Sequence, residues 1–290
     1  MVRATERAAA PALADSSAVA PIEALPSALI SIGDIESRIG RLTPVFCLDF
    51  DGTLSPIVAD PGAACLLDGV EGVLRALAAK APVLVLSGRD APDVRARIRL
   101  PGVLYAGSHG FEVLRDDGQR EVHEEALRYL PHLAVVEEQL RAATAGIPGV
   151  VVDRKRFSVA VHDRMVPEEH LESLWRVVAG IAAESPMLRS MRGKRVTEFL
   201  PNLDWDKGRA LLWLLEMSSY RQDRHLPICI GDDITDEDAL RTVRGPGVGI
   251  VVGSGERPTA ATYALRDPVE VREFLSRMLQ FLDKRAATDA

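Results

Sequence analysis

At 290 residues, 47% hydrophobic and 27% charged, the chain has the composition of a globular protein with a sizeable core, in one large domain or two modest ones. A net charge of -7 without any Lys/Arg-rich run argues against nucleic-acid binding, and no apolar stretch approaches the roughly 20 residues of a membrane span. Three scattered cysteines, Cys47, Cys65 and Cys229, exclude a disulfide framework or a zinc site and fit a reducing, cytoplasmic compartment.

Residues 1–30 are rich in Ala, Pro and Ser. They lack a continuous apolar core and carry Glu6 and Asp15, so neither a signal nor a transit peptide is expected. A flexible tail is expected instead, and the segment 284–290 reads the same way. The first strong element is VFCLDFDGTLSP, residues 45–56. Its apolar run, Val45 to Leu48, ends in turn-prone residues and reads as a buried parallel strand. Ligands of open α/β sheets sit outside the carboxyl ends of their strands, which places Asp49 and Asp51 at such an edge. Taken alone, the two acids would read as an Asp-rich turn.

Gly69–Ala81 reads as a helix with Val70, Val73, Leu74 and Leu77 on one face. Pro82–Leu86 and Gly102–Ala106 read as strands, stopped by Ser87-Gly88 and by Gly107-Ser108-His109-Gly110. The middle changes character. Phe111–Leu114 and Arg120–His123 suit a hairpin around Asp116-Asp117-Gly118. Helices at Tyr129–Ala143 and Pro167–Ala183 accompany strands at Val150–Val152, Phe157–Val161 and Val196–Leu200. The alternating pattern then returns. Asp206–Ser218 is helical, Leu226–Ile230 and Val248–Val252 are strands, and Pro268–Leu282 is a closing helix. Strands alternating with helices predict a parallel sheet with crossover helices, an α/β core at 31–110 and 202–283. Residues 111–201 are expected to form an inserted α+β cap.

Three more strand ends or helix starts carry groups suited to phosphate. Ser87, with nearby backbone N–H groups, can hold phosphate oxygens. Lys207 at a helix start can balance phosphate charge, although a lone lysine there is more often a solvated one. After Leu226–Ile230 come Asp232, Asp233 and Asp236. Clustered carboxylates repel unless a cation or protons offset them, and hard oxygen ligands suit Mg²⁺. The alternative is a run of acids capping a helix start, which Glu237 and Asp238 fit best.

In order, DxDGT, Ser, Lys and GDD resemble the four motifs of the haloacid dehalogenase superfamily of phosphotransferases. The second acid of DxDGT implies phosphoryl transfer rather than dehalogenation. Little chain separates Asp51 from Ser87, whereas the α+β segment lies between Ser87 and Lys207, which resembles the sugar-phosphatase branch. More specifically, six stretches resemble the trehalose-6-phosphate phosphatase family, from about Pro44 to Leu282. They are LDFDGTLSPI (48–57), LSGRD (86–90), YAGSHGFE (105–112), DRKRFSVAVHDR (153–164), GKRVTEFLPNLDWDKGRAL (193–211) and GDDITDEDAL (231–240).

The resemblance implies a Rossmann-like core with a parallel sheet and an α/β cap. It implies Asp49 as nucleophile and Asp51 as acid/base, with Thr53, Ser87 and Lys207 around the phosphate. Mg²⁺ is implied on Asp49, the Asp51 carbonyl and Asp232, supported by Asp233. Lys194 and Glu198 are implied at the sugar hydroxyls, where two residues four apart on a strand share a face. His109, Lys155, His162 and Arg164 are implied to line or brace the sugar site. Leu200 and Asp163 depart from the family pattern, which has Arg and an aromatic residue there. The expected activity is Mg²⁺-dependent hydrolysis of trehalose 6-phosphate through an aspartyl-phosphate. Sucrose 6-phosphate or glucosylglycerol phosphate, or a non-enzymatic sugar-phosphate sensor, are the alternatives. The expected partner is a small sugar phosphate, with no nucleic acid or membrane, and a monomer is expected.

Overall fold

Alternation of apolar side chains along the central strands decides the architecture. In the computed structural model, which describes residues 19–58, 60–115, 117–193 and 195–289, the central run is buried from Val45 to Leu48. Phe46 and Leu48 face one core cluster, Val45 and Cys47 the other. A strand buried on both faces needs helices on both, which is the logic of a parallel α/β sheet.

In chain order the elements are β1 (Ala20–Pro21), α1 (Ile32–Ile39), β2 (Thr43–Leu48), α2 (Val70–Ala78), β3 (Val83–Leu86), α3 (Ala91–Ile98) and β4 (Val103–Gly107). A hairpin follows, β5 (Glu112–Leu114) and β6 (Arg120–Val122). Then come α4 (Leu130–Thr144), β7 (Val151–Arg154), β8 (Val159–His162), α5 (Glu168–Ala183), β9 (Leu188–Gly193) and β10 (Val196–Pro201). The chain closes with α6 (Lys207–Met217), β11 (His225–Gly231), α7 (Glu237–Val243), β12 (Val248–Val252), β13 (Pro258–Thr259), β14 (Tyr263–Leu265) and α8 (Pro268–Asp289).

Eight strands form the large sheet in the order β14-β12-β11-β2-β3-β4-β5-β6. It is parallel from β14 to β4, and β5 and β6 add antiparallel to its edge. Side chains of α1, α2, α3 and α8 cover one face, those of α6 and α7 the other. The smaller sheet is antiparallel, in the order β7-β8-β10-β9. Its own core joins Val159, Val161 and Phe199 to apolar faces of α4 and α5. The fold class is therefore the expected α/β one. No helix among the described residues is long and apolar enough to cross a membrane.

Three parts differ from the sequence-based expectation. Residues 1–18 lie outside the described residues, but 19–30 do not form a flexible tail. β1 pairs with β13, the Ala28 N–H donates to the Ala264 carbonyl, and Ile22 and Ala28 are buried. Apolar residues at Ile22, Leu25 and Ala28 anchor this segment despite its Ala/Pro/Ser-rich surroundings. The second difference is at the other end, where α8 continues through 284–289 because Lys, Arg and Ala are good helix formers. The third is the hairpin at 111–123. It was expected in the cap, yet its strands extend the large sheet. Its turn includes Asp116, which lies outside the described residues.

Candidate active site

The carboxyl edge of the large sheet faces the small sheet across a cleft of about 580 Å³. On the core side it is lined by Asp49, Asp51, Arg89, His109, Lys207, Asp232 and Asp233, on the cap side by Lys155, His162, Arg164 and Glu198. The parallel register of β2 and β11 brings Asp49 and Asp232 to the same edge. Asp49 is held by its own N–H, which donates to the Ile230 carbonyl at 2.9 Å.

Lys207, at the first turn of α6, is buried and donates to Asp49 Oδ1 at 2.8 Å and to Asp236 Oδ1 at 2.7 Å. Burial works against its charge, but Asp236 and Asp49 outweigh it and raise its pKa. Burial also pushes the Asp49 carboxyl well above its ordinary range; Lys207 opposes this, while Asp236 and Asp232 add to it. Asp49, Asp232 and Asp236 each present an oxygen within 4.8 Å of the others. Three buried acids against one lysine leave an excess of negative charge that a divalent cation would offset. Asp236 already accepts from Lys207 and, through Oδ2, from the Asp233 N–H at 3.0 Å. Asp236 and Asp49 thus share Lys207 as counter-charge, but Asp49 and Asp232 line the cleft, which makes these two the acids suited to a cation. The Asp233 side chain caps the turn Ile234–Asp236.

Gly52 makes the close approach possible. Its φ is +82°, and a Cβ there would lie 2.3 Å from the Asp232 carboxyl carbon. Beside it, Thr53 Oγ1 is buried with no hydrogen-bond partner among the described residues, which suits an incoming phosphate oxygen. Ser87 Oγ accepts from the Arg89 N–H at 3.1 Å and keeps its own proton to donate. Asp51, on the same cleft wall, is engaged by an arginine. Arg89 grips both of its oxygens, through Nε at 2.7 Å and Nη2 at 2.8 Å. Asp93, the Pro61 carbonyl and the Phe50 ring hold Arg89 in turn.

On the cap side, β10 carries Glu198 into the cleft. Its Oε2 lies 2.8 Å from His109 Nε2, and its Oε1 accepts from Lys155 Nζ at 2.9 Å and from Ser158 Oγ at 2.6 Å. Burial opposes its charge, yet Lys155 and His109 prevail and hold its pKa well below the usual carboxylate range. His109 occupies left-handed backbone at φ +57° after Ser108 at φ +49°. Non-glycine residues rarely adopt it, and such strain gathers at functional sites. The His162 ring lines the cleft; burial, then Lys155, lowers its pKa, and its Nε2 has no partner among the described residues. Arg164 ties the cap to the core by donating to the Val58 carbonyl. Lys194 lies outside the described residues.

Arg89 and Ser158 were not singled out from the sequence, and Asp236 was named only as one of a cluster. Arg89 lies in LSGRD, but only the fold brings it to Asp51. The two departures from the family pattern, Leu200 and Asp163, do not line the cleft. Leu200 is buried with Phe111 and Phe157, and Asp163 accepts from Trp175 Nε1 and pairs with Arg195.

The pKa of Glu198 carries a pH prediction. An acid whose folded pKa is depressed stabilises the fold above its ordinary value, here 4.5, and loses that contribution as pH falls through the folded pKa. Glu198→Gln is therefore expected to flatten the fall in stability below about pH 4.5. Urea unfolding midpoints from neutral pH down to about pH 3 would show it; an acid limb as steep as the wild type's would contradict the buried ion pair.

The sequence model of trehalose-phosphatases matches residues 47–269. The chain belongs to the trehalose-phosphatase family. It is 44% identical over 262 residues to a trehalose-phosphate phosphatase of Mycobacterium bovis, covering 89% of this chain and 66% of that one. The corresponding protein of Mycobacterium marinum is 43% identical over 258 residues, covering 88% and 66%. The chain thus spans just under two thirds of the length of these relatives. The C-terminal domain of Candida albicans trehalose-6-phosphate phosphatase superposes with a TM-score of 0.75 at 22% identity, covering 89% of this chain and 99% of that domain. That likeness is one of fold.

Proposed function

We propose that this trehalose-phosphatase family member hydrolyses trehalose 6-phosphate to trehalose and phosphate. The observation that carries the reading is one cleft with two differently equipped walls. Asp49, Lys207, Thr53 and Ser87 suit a phosphate, and Glu198 with Lys155 and His109 suits sugar hydroxyls. A carboxylate with neighbouring cationic donors can accept from one hydroxyl while its partner donates to the next.

Asp49 attacks phosphorus in line and forms an aspartyl-phosphate. Lys207, Ser87 and Thr53 hold the transferring oxygens, since positioning and charge stabilisation are most of phosphoryl-transfer catalysis. Asp51, turned from Arg89 toward the substrate, serves as the acid that gives a proton to the leaving sugar oxygen. It then takes a proton from the water that breaks the acyl phosphate. Asp49 and Asp232, with the Asp51 carbonyl, would hold Mg²⁺, which supplies charge neutralisation between nucleophile and phosphate. The cap excludes bulk water and selects the disaccharide. Three free cysteines, two of them buried, support a cytoplasmic enzyme, and a single copy of the chain carries every group named.

Chelation tests the metal assignment. Phosphate release is expected to stop in EDTA and to return on adding excess Mg²⁺. Undiminished release in EDTA would remove the cation from the reading and leave Lys207 as the sole charge balance.

A further inference from the structure

Glu237 and Arg257 are buried or half-buried charges that the chemistry above does not use. Glu237 looks in sequence like a first-turn acid of α7, yet it points inward. Its Oε1 accepts from Arg257 Nη1 at 2.6 Å. Its Oε2 accepts from the Ala260 N–H at 2.8 Å and from Thr259 Oγ1 at 3.1 Å. The other arm of the Arg257 fork, Nη2, donates to the backbone carbonyl of Asp232 at 3.0 Å.

Arg257 thus spans from a fixed anion to the main chain of an acid assigned to the cation. A hydrogen bond to that carbonyl fixes the peptide plane after Asp232 and so restrains the backbone from which its side chain projects. Gly52 leaves room for the Asp232 carboxylate, since a Cβ at that position would lie 2.3 Å from its carboxyl carbon. The loop that presents Arg257 contains Gly253 and Gly255 at φ +130° and +109° and has little rigidity of its own.

The N-terminal segment supplies that rigidity. β1 pairs with β13, the Ile22 N–H donates to the Arg257 carbonyl at 3.1 Å, and the Glu23 N–H donates to the Gly255 carbonyl at 3.2 Å. Ile22 is buried beside Ala260 and Ala261 in the core cluster under α6 and α7. We propose that Arg257 is a positioning residue for Asp232, held in place by the strap Ala20–Ala28. It acts through Asp232 on cation binding and touches neither substrate nor cation. The proposal rests on the assignment of Asp232 to the cation.

Mg²⁺ titration of the full chain, followed by thermal shift, tests it on wild type, Arg257→Ala, Arg257→Lys and Ile22→Ala. Partners one step behind a metal ligand typically contribute 10–100-fold in affinity. Arg257→Ala is expected to weaken the Mg²⁺ dissociation constant by about tenfold. Arg257→Lys should fall between, because an ammonium cannot reproduce the two-armed fork. Ile22→Ala should move the constant in the same direction by less. A purely structural role would lower the melting temperature equally with and without Mg²⁺ and leave the constant unchanged, which would overturn the proposal. Should Arg257→Ala not fold, an unchanged constant in both Arg257→Lys and Ile22→Ala would overturn it equally. Wild type that binds no Mg²⁺ would instead overturn the metal assignment itself.

Discussion

Asp49→Asn is expected to lower phosphate release by about 10⁴-fold or more while leaving the protein folded. Removing a covalent nucleophile typically costs several orders of magnitude, because the remaining groups can position the substrate but cannot form the intermediate. Stability should not follow activity. Asp49 shares its pocket with Asp232 and Asp236 against the single cation of Lys207, and the loss of one of three crowded acids relieves repulsion. Lys207 keeps Asp236 at 2.7 Å, so no buried charge is stranded. The variant's melting temperature without Mg²⁺ is expected to equal or exceed that of wild type. Its reaction with radiolabelled substrate should leave no labelled protein. A folded Asn variant that retains substantial turnover would contradict Asp49 as nucleophile.

Glu198→Ala is expected to divide substrates by the size of their leaving group. Three donors converge on this carboxylate, and its loss leaves the Lys155 ammonium without the acid that opposes its burial. Breaking a buried pair by deleting one partner costs about 3–5 kcal/mol of stability. For trehalose 6-phosphate, kcat/KM should fall by roughly 100-fold or more, since a site built to hydrogen-bond hydroxyls loses both direct bonds and the order of its donors. A small aryl phosphate does not reach the cap and should lose little. Glu198→Gln keeps the shape and removes the charge, so it should be more stable than Glu198→Ala and still discriminate poorly. Equal losses on both substrates would place Glu198 in the scaffold rather than at the sugar.

The sheet was legible because its strands are short apolar runs ended by Gly, Ser or Asp, a pattern that parallel burial imposes. Asp49, Ser87 and Asp232 were legible because each follows such a strand, and Lys207 because it opens a helix. Long-range pairing was not. Nothing local tells Arg89 to grip Asp51, or Arg257 to bridge Glu237 and the Asp232 carbonyl, because these contacts exist only once distant strand ends meet. β9 escaped notice because Leu188–Gly193 buries little beyond Leu188 and lacks an apolar alternation. The N-terminal segment was misread on composition, which hid three anchoring residues among Ala, Pro and Ser. Asp163 and Leu200 depart from the family pattern, but both are buried and neither lines the cleft.

The most direct test is phosphate release from a panel of sugar phosphates at fixed Mg²⁺: trehalose 6-phosphate, sucrose 6-phosphate, glucosylglycerol phosphate, glucose 6-phosphate and a small aryl phosphate. The kcat/KM for trehalose 6-phosphate is expected to lie well above that of every other member. A preference for another sugar phosphate would keep the Asp49 chemistry and contradict the assignment of the cap, and binding without release from any of them would contradict the enzyme itself.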